Sequence, residues 1–180
     1  MKHMDLPSPS AGPRMNADRL IYIGVAGTCI GLLGFGYFLQ FGRGLEPCPL
    51  CILQRLAYFA IAAVAVVAAI HAGVGMWHRL YGAAIALCAL TGGAVAARQV
   101  WLQHLPADRV PECGPGLDYM LDVFPLHEVL RKVLAGSGEC AEAGWTFLTL
   151  SIAEWSLIFF ALLAVSAVTH ACRAAAPMPK

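Results

Sequence analysis

The sequence predicts an all-α membrane protein: a bundle of four transmembrane helices with a short amphipathic helix in its second large loop. Three observations predict it. Of 180 residues, 59% are hydrophobic and 13% are charged, whereas a soluble domain is about 45–50% apolar and about 25% charged. The mean hydropathy is +0.67. The apolar residues gather in four runs, each close to the roughly 20 residues that cross about 30 Å of hydrocarbon. The same composition excludes a disordered chain. With a net charge of +1, it also excludes a nucleic-acid partner, which would need a basic excess.

Residues 1–19 read as a tail. The first span is expected over 20–41, a run with no charged residue. It is too long for a signal peptide. Ala26-Gly27-Thr28 fits a lipoprotein acceptor poorly, so Cys29 reads as a small apolar residue inside the helix. The second span is expected over 51–70, with Gln54 and Arg55 near its start. The third, over 80–97, is rich in Ala and Gly. The fourth is expected over 155–171, and 173–180 form a second tail. Gly92 and Gly93 in the third span, and Gly31, Gly34 and Gly36 in the first, allow close helix contact; Ala/Gly-rich composition explains them equally well.

Four spans put both termini on one side, and the loops from residue 42 and from residue 98 on the other. Lys and Arg divide six against six between the two sides, so the positive-inside rule casts no vote. The cysteines do. Of seven, Cys48, Cys51, Cys113 and Cys140 fall in or at the edge of the two same-side loops. An even set on one face implies two disulfides in an oxidising compartment. The loops are then periplasmic or extracellular, and the termini cytoplasmic.

Cys48-Pro49-Leu50-Cys51 is a C-x-x-C. So small a ring stabilises little through loop entropy, but the spacing suits redox work, with one activated thiolate and one resolving thiol. Cys51 falls where a membrane helix starts, and the exposed N–H groups and helix dipole there favour a thiolate. Arg55 lies four residues on, one turn along the same face. An Arg inside a span is costly and marks a functional site by default, although a snorkelling Arg can also end a span. Beside Cys51, one guanidinium can stabilise a thiolate and donate to a carbonyl oxygen. A membrane-dissolved carbonyl oxidant is a quinone.

Cys113 and Cys140 enclose 26 residues. A bond between them would contribute on the order of 3–4 kcal/mol in the chain-entropy model, so a structural staple is one reading. The prolines and glycines around both favour exposed turns, and an exposed disulfide is open to attack by a thiolate. Between them, Leu126, Val129, Leu130, Val133 and Leu134 recur at helical spacing. They predict a short amphipathic helix, on the membrane surface or packed on the bundle. Leu117, Met120, Leu121 and Phe124 form a weaker stripe.

These motifs resemble the DsbB family of bacterial disulfide-forming membrane proteins. The resemblance is carried by the run from Glu46 to Arg55, by Arg98-Gln99-Val100-Trp101-Leu102-Gln103, by Cys113-Gly114-Pro115 and by the run from Gly136 to Ala141. It implies a multi-pass protein of the bacterial inner membrane. A periplasmic thiol oxidase, DsbA, would attack the Cys113–Cys140 disulfide at Cys113. Electrons would pass to Cys48–Cys51, and the Cys51 thiolate would reduce a bound ubiquinone or menaquinone polarised by Arg55. Gln103 matches the family pattern and can donate to the quinone. The family's histidine near the quinone is replaced here by Arg98 or Gln99; the nearest histidine is His104.

Two other classes fit parts of the pattern. A four-cysteine zinc site usually needs two close C-x-x-C pairs; only one is present, with Arg55 unfavourably near a cation, so no metal is expected. A non-catalytic membrane subunit with structural disulfides would be indifferent to changes at Arg55. A quinone-linked reductase of the vitamin K epoxide reductase type also sets C-x-x-C beside a quinone, but late in its bundle rather than after the first span.

Overall fold

The computed structural model describes residues 13–71, 76–112, 114 and 116–173. Cys113 and most of both expected tails lie outside these residues. Seven α-helices are present in the described chain: α1 (Pro13–Arg43), α2 (Pro49–His71), α3 (Met76–Gln103), α4 (Leu117–Val123), α5 (Leu126–Ala135), α6 (Gly138–Ala141) and α7 (Ile152–Arg173). A hairpin of β1 (Thr146–Phe147) and β2 (Leu150–Ser151) precedes α7. Four helices, α1, α2, α3 and α7, are long and apolar enough to cross a membrane.

All four expected spans are found, and all are longer than expected. Helix α1 begins at Pro13, inside the expected 1–19 tail. Proline suits a first helical turn, where its missing N–H costs nothing. Helix α3 runs six residues past the expected end at Ala97, to Gln103. Arg98, Gln99 and Gln103 therefore stand on a helix rather than in a loop. A charged residue ended the apolar run, yet it did not end the helix, because Arg98 reaches sideways. Its Nη2 donates to the Ala135 carbonyl oxygen at 2.8 Å and its Nε to that of Leu134 at 3.3 Å, capping the end of α5.

Helix α1 packs along α2, α2 along α3, and α3 along α7. The core holds Cys29, Ile61, Ile85 and Phe160, all almost fully buried. Gly92 earns close packing in the way its position suggested: a Cβ there would come within 2.5 Å of the Phe160 ring and 2.9 Å of the Ala57 methyl. Gly31 and Gly34 face open space, so for them composition is the sufficient account.

A second, smaller core sits at the loop end, with Leu50, Leu102, Met120, Val129, Val133, Cys48 and Cys140. The stripe on α5 divides. Val129 and Val133 are buried in this core, while Leu126, Leu130 and Leu134 point outward. One flank of the amphipathic helix is thus packed on the bundle, and the other is exposed. The hairpin turn holds Leu148 at φ 50° and Thr149 at φ 69°. Trp155 Nε1 braces it by donating to the Phe147 carbonyl at 3.1 Å.

Candidate functional site: a cysteine cluster at the wall of a cavity

Cys48 precedes α2, and Cys51 lies in its first turn. Their sulfurs are 3.2 Å apart, as free thiols. Short helix α6 delivers Cys140 to the same buried cluster, where it is fully buried close to Cys48. The two loops, distant in sequence, therefore meet near the sulfurs. The nearness of Cys48, with backbone N–H donors near Ser137 and Leu50, holds Cys140 below the ordinary thiol range, against the opposing effect of burial. The same nearness, with Cys51 and burial, pushes Cys48 well above it.

Behind the sulfurs lie two glutamines, Gln54 of α2 and Gln99 of α3, each 4% exposed. Gln54 Nε2 donates to Gln99 Oε1 at 2.7 Å. That bond turns the Gln99 amide nitrogen toward the cysteines, 3.3 Å from Cys51 Sγ and 3.4 Å from Cys48 Sγ. A donor held at this position stabilises negative charge on sulfur. The family resemblance sets Arg98 or Gln99 at the quinone-side position and gives Gln54 no role; helical spacing alone puts Gln54 on the face of Cys51.

Arg55 does not snorkel. Its Nη2 donates to the Gly36 carbonyl oxygen at 3.1 Å and its Nη1 to Gln40 Oε1, both on α1. Its guanidinium also lies over the Tyr37 ring, 4.9 Å from the centroid. Gly36 is close by: a Cβ there would approach Arg55 Nε at 3.6 Å.

Cys48, Cys51, Gln54, Arg55, Gln99 and Gln103 all line one cavity of about 1020 Å³. Its other walls are mainly apolar and come from α1, α7 and the hairpin, including Phe35, Trp145, Phe147, Trp155 and Phe159. Gln103 Oε1 accepts from the Ser151 hydroxyl at 2.7 Å, which leaves its amide nitrogen as a donor. His104 is not part of the wall. It is largely exposed, 3.9 Å from Glu154, with Nδ1 beside the Val100 carbonyl. Glu154 also receives the Ser151 N–H at 2.6 Å, closing a capping box on α7.

The family profile described as Disulfide bond formation protein DsbB matches residues 18–170. The chain belongs to the DsbB family. Relatives named Disulfide bond formation protein B are similar over most of their length. That of Azoarcus sp. (strain BH72) is 47% identical over 83% of this chain and 90% of its own. That of Chromobacterium violaceum is 49% identical over 80% and 87%. That of Chromohalobacter salexigens is 52% identical over 75% and 79%. As a DsbB protein the chain is a multi-pass membrane oxidoreductase that forms disulfide bonds.

Proposed function

We propose that the chain reoxidises a DsbA-like periplasmic thiol oxidase and passes the electrons through two cysteine pairs to the membrane quinone pool, as ubiquinone or menaquinone. One observation carries the reading: Cys140 of the second loop meets Cys48 beside Cys51, at the wall of the cavity that Arg55 also lines. Exchange requires a thiolate to reach a disulfide sulfur. This contact supplies the junction between the two pairs.

The electron count balances. A partner thiolate attacks Cys113 of a Cys113–Cys140 disulfide, and Cys140 leaves with the electron pair. Cys140 attacks Cys48 of a Cys48–Cys51 disulfide and expels the Cys51 thiolate. The partner's second thiol attacks the mixed disulfide and frees Cys113, so the partner leaves oxidised. Cys113 then attacks Cys140, restoring its disulfide and freeing Cys48. Two electrons and two protons have moved from the partner to Cys48 and Cys51. The family resemblance supports the role of Cys113.

The cavity residues fit a quinone. The volume suits a ring and the start of an apolar tail, since ligand sites commonly run to about 300–1,000 Å³. Arg55 has five N–H donors and uses one from each terminal nitrogen on α1. Its three remaining N–H groups and the Gln103 amide can hold carbonyl oxygens. A bound quinone supplies a sink for two electrons and two protons. Gln99 holds the Cys51 and Cys48 sulfurs in place against that side of the cavity. The paired cysteines support periplasmic loops and cytoplasmic termini in the bacterial inner membrane.

The test mixes purified protein, a ubiquinone analogue and reduced DsbA, and follows quinol formation by absorbance. Wild type reduces the analogue, Cys51→Ser does not, and Arg55→Ala does so slowly. A folded wild-type protein that forms no quinol overturns the reading. Alkaline phosphatase fused within the second loop is active and fused after residue 180 is inactive if the orientation is right.

A further inference from the structure

The end of the bundle opposite the cysteines holds a second convergence of ligating side chains. Asp18 of α1, His78 in the first turn of α3 and His170 near the end of α7 each present one ligand atom. The three atoms lie within 4.8 Å of one another. His170 Nε2 is 3.4 Å from Asp18 Oδ1. The two imidazole rings pack edge to face with centroids 4.4 Å apart. His78 is 4% exposed and the His170 side chain 13%, so the two imidazoles are inside the bundle, with Asp18 at its rim.

Tyr22 stands one turn after Asp18 on α1. Its hydroxyl lies 3.1 Å from His78 Nδ1 and 3.4 Å from the His78 carbonyl oxygen. A hydroxyl has one proton. That proton goes either to Nδ1 or to the carbonyl oxygen; in the second arrangement the Tyr22 oxygen accepts from Nδ1–H and the His78 lone pair sits on Nε2. An outer partner that fixes a histidine's tautomer is the usual support of a metal ligand.

We propose that Asp18, His78 and His170 form a site for a divalent transition-metal ion of the zinc type, with water completing the coordination. Two neutral imidazoles and one carboxylate are the ligand types of zinc, cobalt and nickel. Calcium and magnesium prefer oxygen ligands and are disfavoured by the two nitrogens. One anionic ligand and two neutral ones match a dication with water completing its shell.

The site has a structural consequence. Helices α1 and α7 are not extensively packed on each other, and the cavity lies between them at the other end. Asp18 and His170 tie those two helices, and His78 adds α3. A bound ion would tie these helices together at the end opposite the cavity.

The test uses the full-length, quinone-loaded, oxidised protein with its remaining thiols blocked by N-ethylmaleimide. It is titrated with Co²⁺ and with Zn²⁺. One equivalent is expected to bind, with the d–d bands of nitrogen and oxygen ligands and no thiolate charge-transfer band. Asp18→Asn weakens binding at least tenfold, and His170→Gln abolishes it, while DsbA-dependent quinone reduction at the far end reports that each variant is folded. In wild-type protein, Zn²⁺ shields His170 from carbethoxylation, a readout that needs no variant. Absence of stoichiometric binding, a cobalt spectrum with thiolate character, undiminished binding in folded variants, or no shielding of His170 each overturns the site. None of these outcomes touches the redox reading, which rests on other residues.

Discussion

Arg55 is charged within an apolar helix, and α1 pays for it with a carbonyl oxygen, an amide and an aromatic face. The flat guanidinium uses all three at once; the compact ammonium of Lys has neither the fork nor the planar face. Arg55→Lys is therefore expected to keep the charge yet lose most of the rate of quinone reduction, and steady-state assays against Arg55→Ala separate charge from geometry. Gln99 is the donor behind the sulfurs. A hydrogen bond to a charged group contributes about 1.5–3 kcal/mol, so Gln99→Leu should slow quinone reduction by about 10- to 100-fold. A rate within twofold of wild type would show that the amide does not act on sulfur. Cys140 offers a pH test. Its pKa is lowered to about 6, so its thiolate persists as pH falls below the ordinary thiol range and is lost only through that value. Cys48 is shifted upward and remains a thiol. In the fully reduced protein, the ultraviolet thiolate absorbance that Cys140→Ser removes should titrate near pH 6, and Cys48→Ser should remove none at pH 7. Equal titration of the two in the ordinary thiol range would contradict the paired sulfurs.

The short elements of the second loop hold Cys140 at Cys48, and Gly136 is their weakest point for substitution. It ends α5 with φ +82°, its N–H on the Lys132 and Val133 carbonyls, and a Cβ there would strike Leu102. With ψ at 154° this is backbone that glycine alone adopts readily, and it costs another residue about 1–3 kcal/mol; overpacking adds about 1–3 kcal/mol. Gly136→Ala should then destabilise the loop core by about 2–6 kcal/mol, seen as a lower Tm and easier proteolysis between α5 and α6. A variant as protease-resistant as wild type would mean that Leu102 yields freely. This region also shows where the sequence was legible. The α5 stripe gave the helix, because periodicity is local. It did not say which leucines and valines face the bundle, because Val129 and Val133 take their places from Leu102, a residue of α3. The end of α3 was misread at Ala97 for a related reason: Arg98 looked like a boundary, and its partners at Leu134 and Ala135 are distant in sequence. Spacing singles out Cys48, Cys51, Cys140 and Arg55, which the fold brings to one end of the bundle; Cys113 lies outside the described residues. The roles of Gln54 and Gln99 were not legible, because an amide becomes functional only through the group it faces.

For the whole molecule, the order of packing explains the cavity. Helix α1 leans on α2 and α7 on α3, so the space between α1 and α7 is filled by neither backbone. The hairpin covers its loop end with Trp145 and Phe147, whose rings lie parallel 6.0 Å apart, and Phe35 of α1 meets Trp145 at 5.4 Å. A ligand entering this space from the bilayer therefore passes aromatic walls before it reaches Arg55 and the sulfurs. Two of the four tryptophans, Trp145 and Trp155, line the cavity. Trp101 instead lies beneath the Arg98 guanidinium, 4.3 Å from its centroid to the charge, and Trp77 meets His71 edge to face at the other end. Quinones quench indole fluorescence at contact distance, so a ubiquinone analogue added to quinone-depleted protein should quench a large part of the emission, saturably. Trp145→Phe combined with Trp155→Phe should remove most of that saturable quenching, while Trp101→Phe should leave it in place. Saturable quenching that survives the double substitution would put the quinone outside this cleft, and the nearness of Arg55 to Cys51 would then need a different purpose.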